Sequence, residues 1–137
     1  MVKVMTQLSV HTENRPAALA DLAETLVDAD VNLVAIFAPD SAGEFGTVRL
    51  LPDRVAEAQA ALARAGYTHT PVDVLVVELP HRPGALADLA RLLARHHIFI
   101  RYAYSSILPG AAAGLCILRV DDMQQAKAIL EERLARA

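Results

Sequence analysis

Hydrophobic and polar positions alternate from the start of the chain. Val4, Thr6, Leu8 and Val10 interleave with Met5, Gln7, Ser9 and His11, the period of a half-buried strand. Pro16 suits a first helical turn, where the missing N–H is not needed. Leu19, Leu22, Ala23 and Leu26 then recur at i, i+3, i+4 and i+7, one face of a helix. Val31 to Ala38 is β-rich and runs into the turn cluster Pro39-Asp40-Ser41-Ala42-Gly43. Phe45 to Leu51 reads as a strand. Pro52-Asp53 opens a second helix with Val55, Ala58 and Leu62 inward, closed by Gly66 as its C-terminal cap. Tyr67 to Val72 is a fourth strand. The order is βαββαβ.

The second half repeats the first. Asn14-Arg15-Pro16-Ala17-Ala18-Leu19-Ala20-Asp21-Leu22-Ala23 reappears 67 residues on as His81-Arg82-Pro83-Gly84-Ala85-Leu86-Ala87-Asp88-Leu89-Ala90, with eight of ten positions identical. Val31-Asn32-Leu33 falls on Ile98-Phe99-Ile100, and Val48 to Leu51 on Leu115 to Leu118. Ala58 and Leu62 fall on Ala126 and Leu130 after a one-residue slip. The predicted elements follow suit. Val74 to Leu79 is a strand. Pro83 opens a helix with Leu86, Leu89, Ala90 and Leu93 on one face. Ile98 to Ser106 and Ala113 to Val120 are strands. A last helix turns Met123, Ala126, Leu130 and Leu134 inward. The second copy lacks a fourth strand of its own.

Strands split by two crossover helices predict an α+β fold. It comprises two ferredoxin-like βαββαβ units, residues 1–72 and 73–137, with helices on one face of an antiparallel sheet. A copy of roughly 65 residues is marginal alone, so the two should pack together. An unfilled strand position or an apolar sheet face invites a partner chain, so a homodimer is expected.

Composition narrows the function. Apolar residues make up 54% of the 137, which excludes disorder. Thirteen Lys and Arg against 16 Asp and Glu give a net charge of −3, unlike a nucleic-acid binder, whose phosphate contacts need a basic surface. Polar residues interrupt the first seven positions too early for a signal peptide. The uncharged stretch from Tyr102 to Leu118 is too short and too broken by Pro109, Gly110 and Gly114 to span a bilayer. A soluble cytoplasmic protein is expected, with no nucleic-acid or membrane partner.

The Asn-Arg-Pro-(Gly/Ala)-Ala-Leu segment after a strand, followed by a helix and by Val-Asn-Leu opening the next strand, resembles the ACT domain. His81-Arg82-Pro83-Gly84-Ala85-Leu86 with Ile98-Phe99-Ile100 resembles a second one, so the whole chain resembles the stand-alone tandem ACT proteins. The resemblance implies a non-enzymatic regulatory module. In that family a small ligand, usually an amino acid, sits between paired units, held by the first loop of one and the second strand of its neighbour. Carried over, Asn14 matches the loop asparagine, Asn32 the second-strand asparagine and Gly84 the glycine. The pattern departs at Ala17, where the family has glycine, and at His81 and Phe99, where it has asparagine. The implied ligand residues are Asn14, Arg15, Pro16, Ala17, Ala18 and Leu19 of one loop, with His81, Arg82, Pro83, Gly84, Ala85 and Leu86 of the other. Asn32, Phe99 and Tyr102 come from the second strands. The 81–86 loop would face Asn32, and the 14–19 loop would face Phe99 and Tyr102. A helix N-terminus favours a carboxylate, a glycine lets it approach, and an asparagine can serve both ends of an amino acid.

Plainer readings accompany these. Asn14 and Asn32 also suit turns, and Arg15 and Arg82 also suit ion pairs. Asp53, Asp121 and Asp122 read as helix caps. His96 and His97, being adjacent, do not share a helix face, and no metal or other cofactor is expected. Cys116, the single cysteine, lies in an apolar strand as inert core. Arg49, inside an apolar strand, must find a partner or point outward. Tyr102 and Tyr104 share a strand face as core or pocket wall. No nucleophile–base arrangement is visible, so no catalytic residue is assigned. Two rivals to an amino-acid sensor remain: a ligand-free interaction module for a metabolic enzyme, and a small ferredoxin-like enzyme using His81, Arg82 and Tyr102.

Overall fold

The computed structural model describes residues 1–136. In chain order the elements are β1 (Val2–Glu13), α1 (Ala18–Asp28), β2 (Leu33–Phe37), β3 (Phe45–Pro52) and α2 (Val55–Arg64). There follow β4 (His69–Pro80), α3 (Ala85–Arg95), β5 (Ile100–Ser106), β6 (Ala113–Val120) and α4 (Met123–Ala135). The α+β class and the repeated ferredoxin-like order are as the sequence predicts. The chain divides into two compact units: Thr6–Val72, and Met1–Met5 together with the chain from Asp73 onward.

In the amino-terminal unit the strand order is β2-β3-β1-β4. β1 and β3 are antiparallel, with Leu8 opposite Leu50 and Val10 opposite Val48. β2 and β3 are antiparallel with Ile36 opposite Leu50. Leu8, Val10, Val48 and Leu50 form one apolar layer with Leu22 and Leu26 of α1, Val31, and Ala58 and Leu62 of α2. Burying a Leu or Val side chain is worth about 1.5–3 kcal/mol, so this layer is what holds the helices on the sheet.

The carboxy-terminal unit builds the same layer with the order β1-β4-β6-β5. Leu75 opposes Leu118 and Val77 opposes Cys116 across antiparallel β4 and β6. Leu89, Leu93, Ile98, Val120, Ala126 and Leu130 complete its core. The fourth-strand position of this unit is occupied by Met1–Met5. Glu78 N donates to Met1 O at 3.0 Å, and Val2 packs on this core. The matching bond in the other unit runs from His11 N to Thr68 O at 2.9 Å.

Several expectations are corrected. The strands predicted at Tyr67 to Val72 and Val74 to Leu79 are one continuous strand, β4, which runs through Pro71 and Asp73 without a turn. The slip between copies falls earlier than expected. Val48 and Leu50 correspond in the core to Cys116 and Leu118, an offset of 68, so the pairing of Val48 to Leu51 with Leu115 to Leu118 is wrong by one residue. A one-residue shift would turn every β6 side chain to the opposite face. The extra residue lies in the turn: Asn14 N bonds to Glu44 O, and His81 N to Ala112 O. Gln7, expected on the polar side of β1, is fully buried. Leu19 and Leu86, expected on the inward helix faces, are 45% and 58% exposed, and Ala23 is exposed as well. Pro16 and Pro83 lie in turns just before α1 and α3 rather than inside them.

Three helices end alike. After α2, Gly66 takes φ +85°, the cap expected for it, and Tyr67 N reaches back to Leu62 O. After α1 and α3 the left-handed position is held by Asp30 (φ +56°) and His97 (φ +57°), with Val31 N bonded to Leu26 O and Ile98 N to Leu93 O. His97 is thus placed by a backbone turn, and His96 Nδ1 lies 3.0 Å from Leu92 O. No helix among the described residues is long and apolar enough to cross a membrane.

Removing Met1–Met5 would leave the β4 edge unpaired in the carboxy-terminal unit and uncover its core beside Val2. Each lost backbone hydrogen bond costs about 1 kcal/mol net. The truncated chain should melt several degrees lower, with exchange of β4 and β6 amides accelerated more than that of β2 and β3, as read by hydrogen exchange. Unchanged melting and protection would show that the first five residues carry no such load.

Candidate functional site

The repeated loops close onto their helices by the same device. Arg15 Nη2 lies 2.6 Å from Asp21 Oδ2, and its Nε 3.0 Å from Glu13 Oε2. Hydrogen bonds to Asp21 and Glu13 push the Arg15 guanidinium above its ordinary pKa, so it stays charged. Arg82 Nη2 lies 3.1 Å from Asp88 Oδ2. The recurring arginines are therefore engaged with first-turn carboxylates, the ion-pair reading of these residues. Neither α1 nor α3 has a side-chain N-cap. The first N–H of each helix is taken by the loop backbone, Ala18 N by Arg15 O at 3.1 Å and Ala85 N by Arg82 O at 3.3 Å, while the positive end of the helix dipole still favours a carboxylate there.

The loops differ in two respects. Asn14 is a clasp: its Nδ2 donates to Ser41 O at 3.0 Å and Gly43 O at 2.9 Å, tying the loop to the β2–β3 turn. His81 stands there in the second copy and bonds through its backbone alone. Ala17 has φ −88°, whereas Gly84 has φ +91°, a conformation that L side chains rarely adopt. A Cβ at Gly84 would meet only Arg82 Nη1 at 3.5 Å, so the backbone angle, not space, demands the glycine.

Each loop borders a pocket within its own unit. In the amino-terminal unit a pocket of about 140 Å³ lies among Asn14, Pro16, Ala18 and Leu19, the turn residues Pro39 and Ser41, and Gly46, Thr47 and Val48 of β3. In the carboxy-terminal unit a pocket of about 150 Å³ lies among His81, Arg82, Ala85 and Leu86, then Ser105 and Ile107, then Gly114, Leu115 and Cys116 of β6. Leu19 and Leu86 are exposed because they stand at these pockets instead of in the core. Gly46 and Gly114 are at matching places. A Cβ on Gly46 would strike the Ser41 side chain, and one on Gly114 would strike Ile107 and the Ser106 carbonyl.

Asn32 and Phe99 sit at the far end of their units. Within a unit, α1 or α3, eleven residues each, separates the loop from the start of the second strand. Such a helix rises about 16 Å. Asn14 and Asn32 are therefore not brought together inside one unit, and neither are His81 and Phe99. Asn32 N donates to Asp53 Oδ1 at 3.0 Å while Asp53 N donates to Asn32 O at 3.0 Å. Phe99 and Asp121 make the same reciprocal pair at 3.0 and 3.2 Å. Asp53 and Asp121 are thus clamps on the second strands, not helix caps. Only Asp122 caps as expected, accepting from Gln125 N at 3.1 Å. The 68-residue offset between Asp53 and Asp121 was the available signal. Asn32 Oδ1 accepts from Leu33 N at 3.1 Å. Phe99 is 59% exposed, with the Arg101 guanidinium 4.7 Å from its ring centre.

Of the three residues considered for an enzyme, His81 and Arg82 line the carboxy-terminal pocket and Tyr102 does not. Arg49 stacks its guanidinium 5.9 Å from the Phe37 ring. Burial pushes the Cys116 thiol up from its ordinary pKa. Among the described residues no group of three or more His, Cys, Asp and Glu could hold a metal ion.

In each ferredoxin-like unit the first loop and the start of the helix that follows it open beside a small pocket. The family model of the ACT domain pair matches residues 3–136, and the chain belongs to that family. Protein BT0572 from Bacteroides thetaiotaomicron has a similar structure, with a TM-score of 0.89 and 28% identity over 96% of this chain and 90% of that one. The regulatory subunit of aspartate kinase from Thermus thermophilus, in ligand-free form, shares the fold at TM-score 0.68 and 14% identity, covering 96% and 95%. The regulatory subunit of aspartate kinase from Thermus flavus does so at 0.65 and 16%, covering 95% and 92%. No curated protein matches the chain.

Two substitutions at left-handed positions should move stability in opposite directions. Gly84→Ala should lose about 1 kcal/mol and His97→Gly should gain a comparable amount, measured by urea unfolding. Equal and small effects of both would mean that the Gly84 turn relaxes freely.

Proposed function

We propose that this chain is a non-catalytic regulatory module that binds an amino acid between paired ACT units. The observation that carries the reading is the split of the ligand residues. The loop with the open helix start and the second-strand asparagine lie at opposite ends of a unit, so a complete site needs two units. The loop of Pro83, Gly84, Ala85 and Leu86 with His81 and Arg82 pairs with Asn32, whose Nδ2 donates to the ligand carboxylate beside the α3 N–H groups. The loop of Asn14, Arg15, Pro16, Ala17, Ala18 and Leu19 pairs with Phe99 and Tyr102 and makes a second, non-equivalent site. The ACT family assignment supports a regulatory role. The units work as a cytoplasmic homodimer, and ligand binding shifts the packing only as far as it prefers one arrangement. The output passes through a partner such as a metabolic enzyme.

A thermal-shift screen of the twenty amino acids at millimolar concentration, followed by calorimetry, tests this. A ligand present at about 100 times its Kd stabilises by about 2.7 kcal/mol, several degrees of melting midpoint. Asn32→Ala should weaken the hit about ten-fold, and Ala17→Val far less. A flat screen on folded protein would reject the sensor. It would favour a ligand-free interaction module, for which the exposed Ile36, Phe37, Phe99 and Leu108 at or beside the edge strands of their units speak. A monomeric mass by light scattering at micromolar concentration would reject the dimer.

A further inference from the structure

The two units end their second helices differently. In the amino-terminal unit α2 stops at Arg64, Gly66 turns the chain at φ +85°, and Tyr67 packs on the core at a corner it shares with Arg15 and Ala18. In the carboxy-terminal unit α4 has 13 residues against 10 in α2, about one turn more. By the offset between the copies, Leu134 stands in the place of Gly66 and the exposed Ala135 in that of Tyr67. Among the described residues no aromatic ring packs on this second core. A cleft of about 150 Å³ lies between α3 and α4 instead, bordered by Arg82 and Ala85, the counterparts of Arg15 and Ala18. Its floor is the core itself, Val77, Leu89 and Leu130. Leu92, where α1 has Thr25, and Leu134 are its half-buried walls. Arg82, Asp88 and Arg133 are the exposed, charged part of its lining.

We propose that this cleft in the helix layer is a ligand site in its own right, and that it takes a small carboxylic acid with one aromatic ring and no ammonium group. The ring enters between Leu89, Leu92, Leu130 and Leu134 and covers the core as Tyr67 does in the other copy. A volume of about 150 Å³ admits a group about the size of benzene. These hydrocarbon walls reward an apolar body and offer nothing to a buried hydroxyl. The carboxylate stays at the mouth. Among the described residues lining the cleft, Asp88 is the one carboxylate, and Arg82 Nη2 holds it at 3.1 Å. Two guanidinium groups against one carboxylate leave the mouth positive, and the Arg133 fork suits a carboxylate. An ammonium group would meet like charge there, with the only acid of the lining already engaged. The site is independent of the paired-unit reading above, since all its lining belongs to one unit.

Titration of the full chain with 3-phenylpropanoate, followed by amide NMR, tests this. The acid should bind with a Kd of about 1 mM or tighter. It should shift the amides of residues 88–92 and 130–134 and leave those of α1 and α2 in place. 3-Phenylpropanamide, which keeps the ring and lacks the charge, should bind several-fold more weakly, and so should L-phenylalanine at these residues. Arg133→Gln, at an exposed position that does not endanger folding, should weaken the acid about four-fold and leave the amide unchanged. Leu134→Glu, which sets a carboxylate in the wall, should abolish binding of the acid. Absence of binding up to about 10 mM acid by folded protein would overturn the proposal. So would shifts confined to other residues, equal filling of the cleft by the amide or by L-phenylalanine, or affinity indifferent to both Arg133→Gln and Leu134→Glu.

Discussion

Backbone pairing along β1 and β4 governs the architecture. Each strand has twelve residues, and each serves one unit with one part and the other unit with the rest. Residues 6–13 of β1 form a central strand of the amino-terminal unit, and residues 1–5 are the fourth strand of the other. An edge left open beside Val74–Val77 would expose unpaired amides next to fully buried side chains. The chain start closes that edge. The strand that completes it and the strand that begins the first repeat are one and the same.

Much of this was legible in the sequence because the two periods that matter were each written twice. The 3.6-residue spacing of Leu22, Leu26, Leu89 and Leu93 and the two-residue spacing of Leu8, Val10, Leu75 and Val77 point to the core that is observed. What escaped was information that periodicity does not carry. An apolar residue at helical spacing reads as core, yet Leu19 and Leu86 lie at the first turn of their helices, where a small pocket and not a packed layer faces them. An aspartate before a helix reads as a cap, yet Asp53 and Asp121 answer to a strand some twenty residues upstream. A one-residue insertion in a turn is invisible to composition, and only the facing of Cys116 and Leu118 into the core locates it.

The site residues divide on the same lines. Asn14, singled out by its motif, spends both amide hydrogens on the β2–β3 turn. Its recurrence in such loops has a structural reason whether or not its oxygen also meets a ligand. Arg15 and Arg82 likewise serve the first turns of their helices. Gly84 keeps a reason of its own, because its φ of +91° is a conformation that L side chains rarely adopt. The features left for a ligand are those that local structure does not consume: the Asn32 Nδ2 group, whose Oδ1 is already taken by Leu33 N, and the pocket walls.

Duplication makes those walls informative. Two copies that share a core layer, a helix-start ion pair and a second-strand clamp are under the same folding constraints. A difference at a buried core position is limited by packing, as Val48 and Cys116 show by exchanging similar volumes. A difference at a pocket position is not limited in that way, since the pocket is empty space to the fold. Thr12 is buried and its counterpart Leu79 packs against the core of its own unit, so this exchange falls under the packing constraint, whereas Ile107 at the turn is 41% exposed.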